Sequence, residues 1–198
     1  MKHILLSLFL LVATMTSAQD RIILINGDVL DVKNVELKDN KVSFQLLNKE
    51  KRKSIHPDRV FSVQYATGAE QIVFEPDPLD PNDFKPEEMR MFIKGEQDAK
   101  LYYHNTGNKI VSAAVGAGAG LLSIYGLVVP ALYSTVVGSF SPNVQKHKVS
   151  DPGLRDNLNY REGYERQCRD RKIRNSLVYG FGGFVVGFAA FAIFLPNN

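Results

Sequence analysis

Two stretches of this chain, residues 110–145 and 175–198, contain no Asp, Glu, Lys or Arg, while the rest is dense in charge. The overall hydrophobic content of 44% is ordinary and hides this segregation. Residues 110–138 are long enough to cross a hydrocarbon core of about 30 Å, even with a tilt or a break at Pro130. Residues 176–195 supply about the twenty needed at minimum. In a chain of 198 residues, two such segments leave too little polar protein to bury them both in a soluble core. The sequence therefore predicts an α+β membrane protein that ends in a two-helix transmembrane hairpin.

The first eighteen residues have the three parts of a secretory signal. Lys2 and His3 precede an apolar run over residues 4–13, and the small residues Thr16, Ser17 and Ala18 follow. A run of ten residues makes a helix of only about 15 Å, half of a membrane core, so cleavage after Ala18 is expected. No cysteine stands there to be lipidated. The chain from Gln19 onward would then lie outside the cytoplasm.

Charge gives an independent statement on orientation. Residues 139–175 carry nine Lys or Arg against five acids, and Arg169, Arg171, Lys172 and Arg174 stand immediately before the second apolar stretch. The positive-inside rule makes this segment a basic cytoplasmic loop with those four residues determining topology. With two spans the signal peptide gives the same answer. The expected location is the cytoplasmic (inner) membrane, multi-pass, with the N-terminal domain in the periplasm. The lone cysteine, Cys168, falls on the reducing side.

Residues 19–75 alternate apolar and polar side chains between turn residues, as strands do. Asn26-Gly27 signals a two-residue hairpin, Asp39-Asn40 and Thr67-Gly68 mark further turns, and His56-Pro57-Asp58 interrupts before the strand that starts at Val60. Five or six short strands with that break resemble a small SH3-like or Sm-like β-barrel, or else a meander. Nucleic acid is excluded as a partner: residues 19–106 hold 13 basic and 16 acidic residues, the reverse of what phosphate binding needs. The basic run 49–53 reads as a solvated hairpin.

Residues 76–86 form a Pro/Asp-rich linker; Asp77, Asp80 and Asp83 lack the glycine and terminal Glu of a calcium loop. Pro86-Glu87-Glu88 then opens a juxtamembrane helix, placed at 87–109, on which Met89, Phe92, Ile93 and Tyr103 recur at helical spacing. Tyr102, Tyr103 and His104 would sit at headgroup level.

Small residues form a stripe on each apolar stretch: Ala113, Gly116, Ala117 and Gly120 on the first, Gly180, Gly183, Gly187 and Ala190 on the second. Missing side chains let backbones approach closely, and in lipid close packing replaces the absent hydrophobic drive. These eight residues are expected to pack the two helices on each other within one chain. The alternative is a glycine-packed homo-oligomeric pore. Neither stretch carries an ionisable residue to mark an ion path.

His56 and His104 have no metal-ligand neighbour at helical spacing, and neither a nucleophile elbow nor a phosphate-cradling glycine loop occurs. Cys168 stands among arginines, which lower a thiol pKa, yet reads as one small residue on a charged helix. No catalytic, cofactor-binding or metal-ligating residue is assigned. Function is expected to be non-enzymatic: an adaptor or accessory subunit that presents its exported β domain, with the lipid bilayer, a protein partner and other copies of the chain as candidate partners.

The pattern Gly95-Glu96-Gln97-Asp98-Ala99 with Tyr102-Tyr103 before a glycine-rich stretch, then Tyr160-Arg161-Glu162-Gly163-Tyr164 and a basic run before a second one, resembles a family of uncharacterised small membrane proteins of Bacteroidota. The resemblance implies a signal peptide, a small exported β domain and a two-span hairpin, and implies no activity. Cys168 departs from it, standing where a small residue such as alanine is usual. Phe92-x-x-Gly95 and Tyr160-x-x-Gly163 also hint at an internal duplication.

Overall fold

The computed structural model describes residues 19–38 and 40–194. The signal-peptide reading of residues 1–18 thus lies outside the described residues. The chain forms two compact units, Met1–Glu87 and Glu88–Asn198.

The first unit is a six-stranded antiparallel sheet: β1 (Asp20–Leu24), β2 (Val29–Lys38), β3 (Lys41–Leu46), β4 (Arg52–Ile55), β5 (Val60–Gln64) and β6 (Glu70–Ile72). Its order is β4-β3-β2-β1-β5-β6. The sheet is open, with β4 and β6 as its edges among the described residues, so the expected barrel closure is corrected.

Two of its turns use one device. The amide of Gly27 donates to the Leu24 carbonyl, the amide of Leu24 donates to the Asp28 carbonyl, and Gly27 has φ +74°. Tyr65, Gly68 and Ala69 repeat this pattern, with Gly68 at φ +87°. Each is a three-residue loop closed by a left-handed glycine, which costs no Cβ clash. Asn26-Gly27 therefore belongs to a loop of three residues, Ile25 to Gly27, and not of two.

Alternation places Ile22, Leu24, Val32, Val42 and Phe44 in the core, joined by Val60 and Val63. β5 is buried on both faces, because Phe61 is covered by Phe74 with ring centroids 6.2 Å apart. A 3-10 turn, Pro57–Arg59, leads into it. The linker beyond β6 is a run of turns in which backbone amides occupy the acidic side chains. Leu79 donates to Asp77, Asn82 to Asp80, and both Asp77 and Phe84 to Asp83, at 2.7–2.9 Å.

The second unit is helical: α1 (Pro86–Tyr102), α2 (Thr106–Gly120), a 3-10 segment (Ser123–Val128), α3 (Val129–Gly138) and α4 (Leu158–Phe194). α1 and α2 are separated by the three residues 103–105, with Asn105 at φ −122° and ψ 44° as the non-helical residue before α2. The expected helix over 87–109 is thus two helices, broken after Tyr102.

The first predicted span is corrected as well. Residues 110–138 are not one helix. The chain reverses after α2, where Ser123 takes φ +62°. The return is tight because Gly126 has no side chain: a Cβ there would lie 1.8 Å from the Ala119 carbonyl oxygen. Pro130 breaks nothing; it sits in the first turn of α3, where its missing amide is harmless. The 15 residues of α2 reach about 22 Å and the 10 of α3 about 15 Å, both short of a membrane core.

Only α4, among the described residues, is a helix long and apolar enough to cross a membrane, over Leu158–Ile193. A single candidate span replaces the expected two-helix hairpin. The segment 139–175 is also not a free loop, since its second half is the polar half of α4.

Candidate membrane-contacting site

α1 and α2 run alongside α4 in the same direction, and glycine sets the approach. Gly95 lies on the Tyr160 carbonyl and Gly163 on the Phe92 carbonyl; further along, Gly116 lies on Gly180 and Gly183 on Ala113. Gly187 rests on the Ala117 carbonyl and Gly120 on the Phe184 carbonyl. A Cβ at any of these six glycines would stand 1.9–2.4 Å from a carbonyl oxygen, so each contact is backbone on backbone. Ala190 extends the stripe one turn past Gly187 and is half-buried.

The contacts are reciprocal. Ala113-x-x-Gly116-x-x-x-Gly120 and Gly180-x-x-Gly183-x-x-x-Gly187 have identical spacing, and the first residue of each meets the second of the other. Phe92-x-x-Gly95 and Tyr160-x-x-Gly163 exchange in the same way. Such exchange is what a two-fold axis produces between identical subunits, found here between two stretches of one chain. α3 then runs the opposite way along α4, with Pro130 against Gly180 and Gly138 against the Ile173 side chain.

The apolar end of this unit is inside out relative to a soluble core. Ser112, Ser134 and Ser176 are buried, and the Asn108 amide donates to Ser176 Oγ at 2.8 Å. Ile110, Leu122, Ile124, Leu132, Val178 and Val186 are instead exposed, each by more than half. Small and hydroxyl residues inside with large apolar residues outside is the arrangement a hydrocarbon solvent favours.

Above the apolar end, the same helices form a polar base. Asp98 is fully buried on α1 and accepts from the Tyr160 hydroxyl at 2.6 Å and from the Ser150 hydroxyl and amide at 2.6 and 2.9 Å; Lys94 stands 3.2 Å away. Burial works to raise its carboxyl, and the hydrogen bonds from Ser150, Tyr160 and Lys94 overcome that and hold it below the ordinary range. Tyr103, Tyr164, His147 and Cys168 pack beside it. Burial pushes the Cys168 thiol up to about 12 despite Arg171 and Lys172, so its arginine neighbours do not activate it.

Two of the four basic residues, Arg171 and Lys172, are tied to backbone carbonyls. Arg171 donates to the carbonyls of Ala99, Lys100 and Tyr103 and so caps the C-terminus of α1. Lys172 donates to the Phe140 carbonyl at 2.8 Å. Arg169 and Arg174 are exposed. Because Asp98 and Arg171 tie α1 to residues 150–171, the juxtamembrane helix and the basic segment lie side by side, which corrects their expected placement on opposite faces of a bilayer.

The sequence offered Asp98 and Tyr160 only within the motifs of the family resemblance and did not offer Ser150; their pairing across 52 and 62 residues carries no local signal. In the sheet unit, a groove of about 700 Å³ runs between Leu37, His56, Ile72, Phe74 and Asp77. Among the described residues no group of three or more His, Cys, Asp or Glu is placed to hold a metal ion. No known protein family, curated protein or solved structure matches the chain.

Proposed function

We propose that this is a non-enzymatic envelope protein anchored by one crossing of the cytoplasmic membrane, an adaptor or accessory subunit that offers its β unit to a protein partner. The observation that carries this reading is the exposed apolar surface of α2, α3 and α4 around a core of glycine and serine. The 19 residues from Ser176 to Phe194 are free of charge and as a helix cover about 28 Å, a hydrocarbon core. α2 and the returning segment dip beside that span as a re-entrant hairpin, their backbone covered by α4.

With one crossing, the β unit and the basic base share a side. The signal-like first eighteen residues support the periplasm for both, and α4 then carries its end inward. This sets the export signal against the positive-inside rule, and the first apolar segment is given precedence. The strand order, with a 3-10 turn leading into β5, supports an SH3-like relationship for the exported unit. The groove beside β6 is the surface it presents. The two-span hairpin of the Bacteroidota family that the sequence resembles is not retained. The pore alternative is not carried further, because the glycines that would build it are occupied by one another.

Reporter fusions inserted near residue 80, near residue 146 and after Asn198 test the topology. The first two should report the periplasm and the third the cytoplasm. Opposite sides for the first two would restore a two-span hairpin and sink this reading.

A further inference from the structure

We propose that the pocket where α1 ends, α2 begins and α4 passes binds the phosphate of an anionic phospholipid headgroup. The proposal rests on the membrane reading above and names the lipid class that the anchor selects.

The pocket has a volume of about 230 Å³, and no carboxylate lines it. It holds the N-terminus of α2, a helix of 15 residues with no side-chain cap and no acid in its first turn. The amides of that turn lack partners within the helix and, with the helix dipole, favour an anion. The residue placed to cap them does something else: Asn105 turns its side-chain oxygen to the Asn175 amide at 2.7 Å. Its own Nδ2, in a residue only 8% exposed, has no hydrogen-bond partner. A buried donor without an acceptor is costly, and Asn105, the residue that carries it, is one of those lining this pocket.

Lys109 and Arg174 supply the charge, and His104 and Arg171 complete the basic wall. Arg171 is fixed by the three α1 carbonyls it caps. Lys109 is held over the Tyr179 ring, 5.4 Å from its centroid. The site therefore combines fixed donors with a charge that matches phosphate.

Depth selects the lipid over free phosphate. Immediately beyond the pocket, α2 exposes Ile110 and Val111 and α4 exposes Val178 and Tyr179. A phosphate seated on Asn105 and Thr106 would thus lie at headgroup level with acyl chains along those side chains.

The test uses the full chain purified in a neutral detergent, titrated with short-chain phosphatidylglycerol, phosphatidylcholine or inorganic phosphate, with adducts counted by native mass spectrometry. Phosphatidylglycerol should be retained about tenfold better than phosphatidylcholine, and Asn105→Asp should abolish the preference by replacing the donor with a carboxylate. Asp is a good helix cap, so this variant keeps the fold. Lys109→Gln with Arg174→Gln should lose the preference too. Retention of the preference by both variants would overturn the proposal, as would displacement of the lipid by inorganic phosphate at equal concentration. Flotation of all three proteins with pure phosphatidylcholine vesicles reads the membrane anchor separately. If the unmodified chain does not float, the anchor reading fails; if it floats but shows no lipid preference, only the pocket does.

Discussion

Cys168 illustrates how burial overrides neighbouring charge. Four arginines lie within six positions of it along the chain, Arg166, Arg169, Arg171 and Arg174, and a thiolate beside them would be stabilised in water. Packed against Tyr103 and Tyr164 with no exposed surface, it is a thiol. It should therefore resist a maleimide in the folded protein, in intact or permeabilised cells alike, and react fully after denaturation; rapid labelling of the native protein would contradict this environment. Asp98 is the converse, a buried carboxylate kept ionised by donors. Asp98→Ala should destabilise the helical unit by about 3 kcal/mol, read from thermal unfolding in detergent, because Tyr160 and the Ser150 amide lose their acceptor.

Two groups of the base that titrate on the acid side, His147 and Asp98, act in the same direction. Burial, with help from Lys172, lowers His147 below its ordinary 6.5, and Asp98 is lowered below its ordinary 3.8. In each case the unfolded chain takes up a proton before the folded one does, so stability must fall with falling pH. The His147 part is lost as pH drops below about 6.5 and the Asp98 part below about 4. His147→Phe, which keeps a ring between Tyr103 and Tyr164, should flatten the first phase while leaving the second. A gain of stability as pH falls from about 7 to 5 would contradict the sign.

At the scale of elements, the helical unit is defined by where helices can touch. Gly116 lies on Gly180, whereas a Cβ at Gly118, two residues on, would meet nothing within 4 Å. Gly118→Ala should be neutral or stabilise α2 by up to about 1 kcal/mol, from helix propensity alone. Gly116→Leu should cost at least about 3 kcal/mol, because backbone on α4 cannot move aside as a side chain could. Equal melting temperatures for the two variants would show that α2 and α4 do not pack in this register.

The small-residue stripe was legible in the sequence as a spacing. The direction of the packing was not, because a stripe of glycines fits a neighbour running either way, and the two stripes meet in parallel. The strands were legible for a related reason: alternation fixes which face is buried, as at Ile22, Leu24, Val42 and Phe44. Whether the sheet closes depends on the edges, and neither β4 nor the three-residue β6 carries a periodic signal that would tell.

At the scale of the whole molecule, the exposed apolar surface makes a direct prediction about solvent. Val178→Lys with Val186→Lys adds two charges to positions 63% and 68% exposed. In water such changes are worth a few tenths of a kcal/mol, but in hydrocarbon each costs about 3 kcal/mol. The double variant should leave the membrane fraction or fail to insert; unchanged membrane partition would refute a lipid-facing surface.

The sequence by itself determined that apolar and charged residues are segregated, that strands precede helices, and that glycine and alanine line up on two apolar stretches. All three follow from composition and local periodicity, which act over a few residues. That the first apolar stretch is not one helix, leaving a single candidate span among the described residues, was decided only by the tertiary structure. Length and hydropathy treat residues 110–138 as one segment, but Gly126 lets the chain fold back on Ala119, and α2 then shares its glycine face with α4. A parallel packing of α2 and α4 requires that return. It puts α1 and the basic segment on one side, where Asp98 and Arg171 join residues more than fifty positions apart, a pairing that no local pattern encodes.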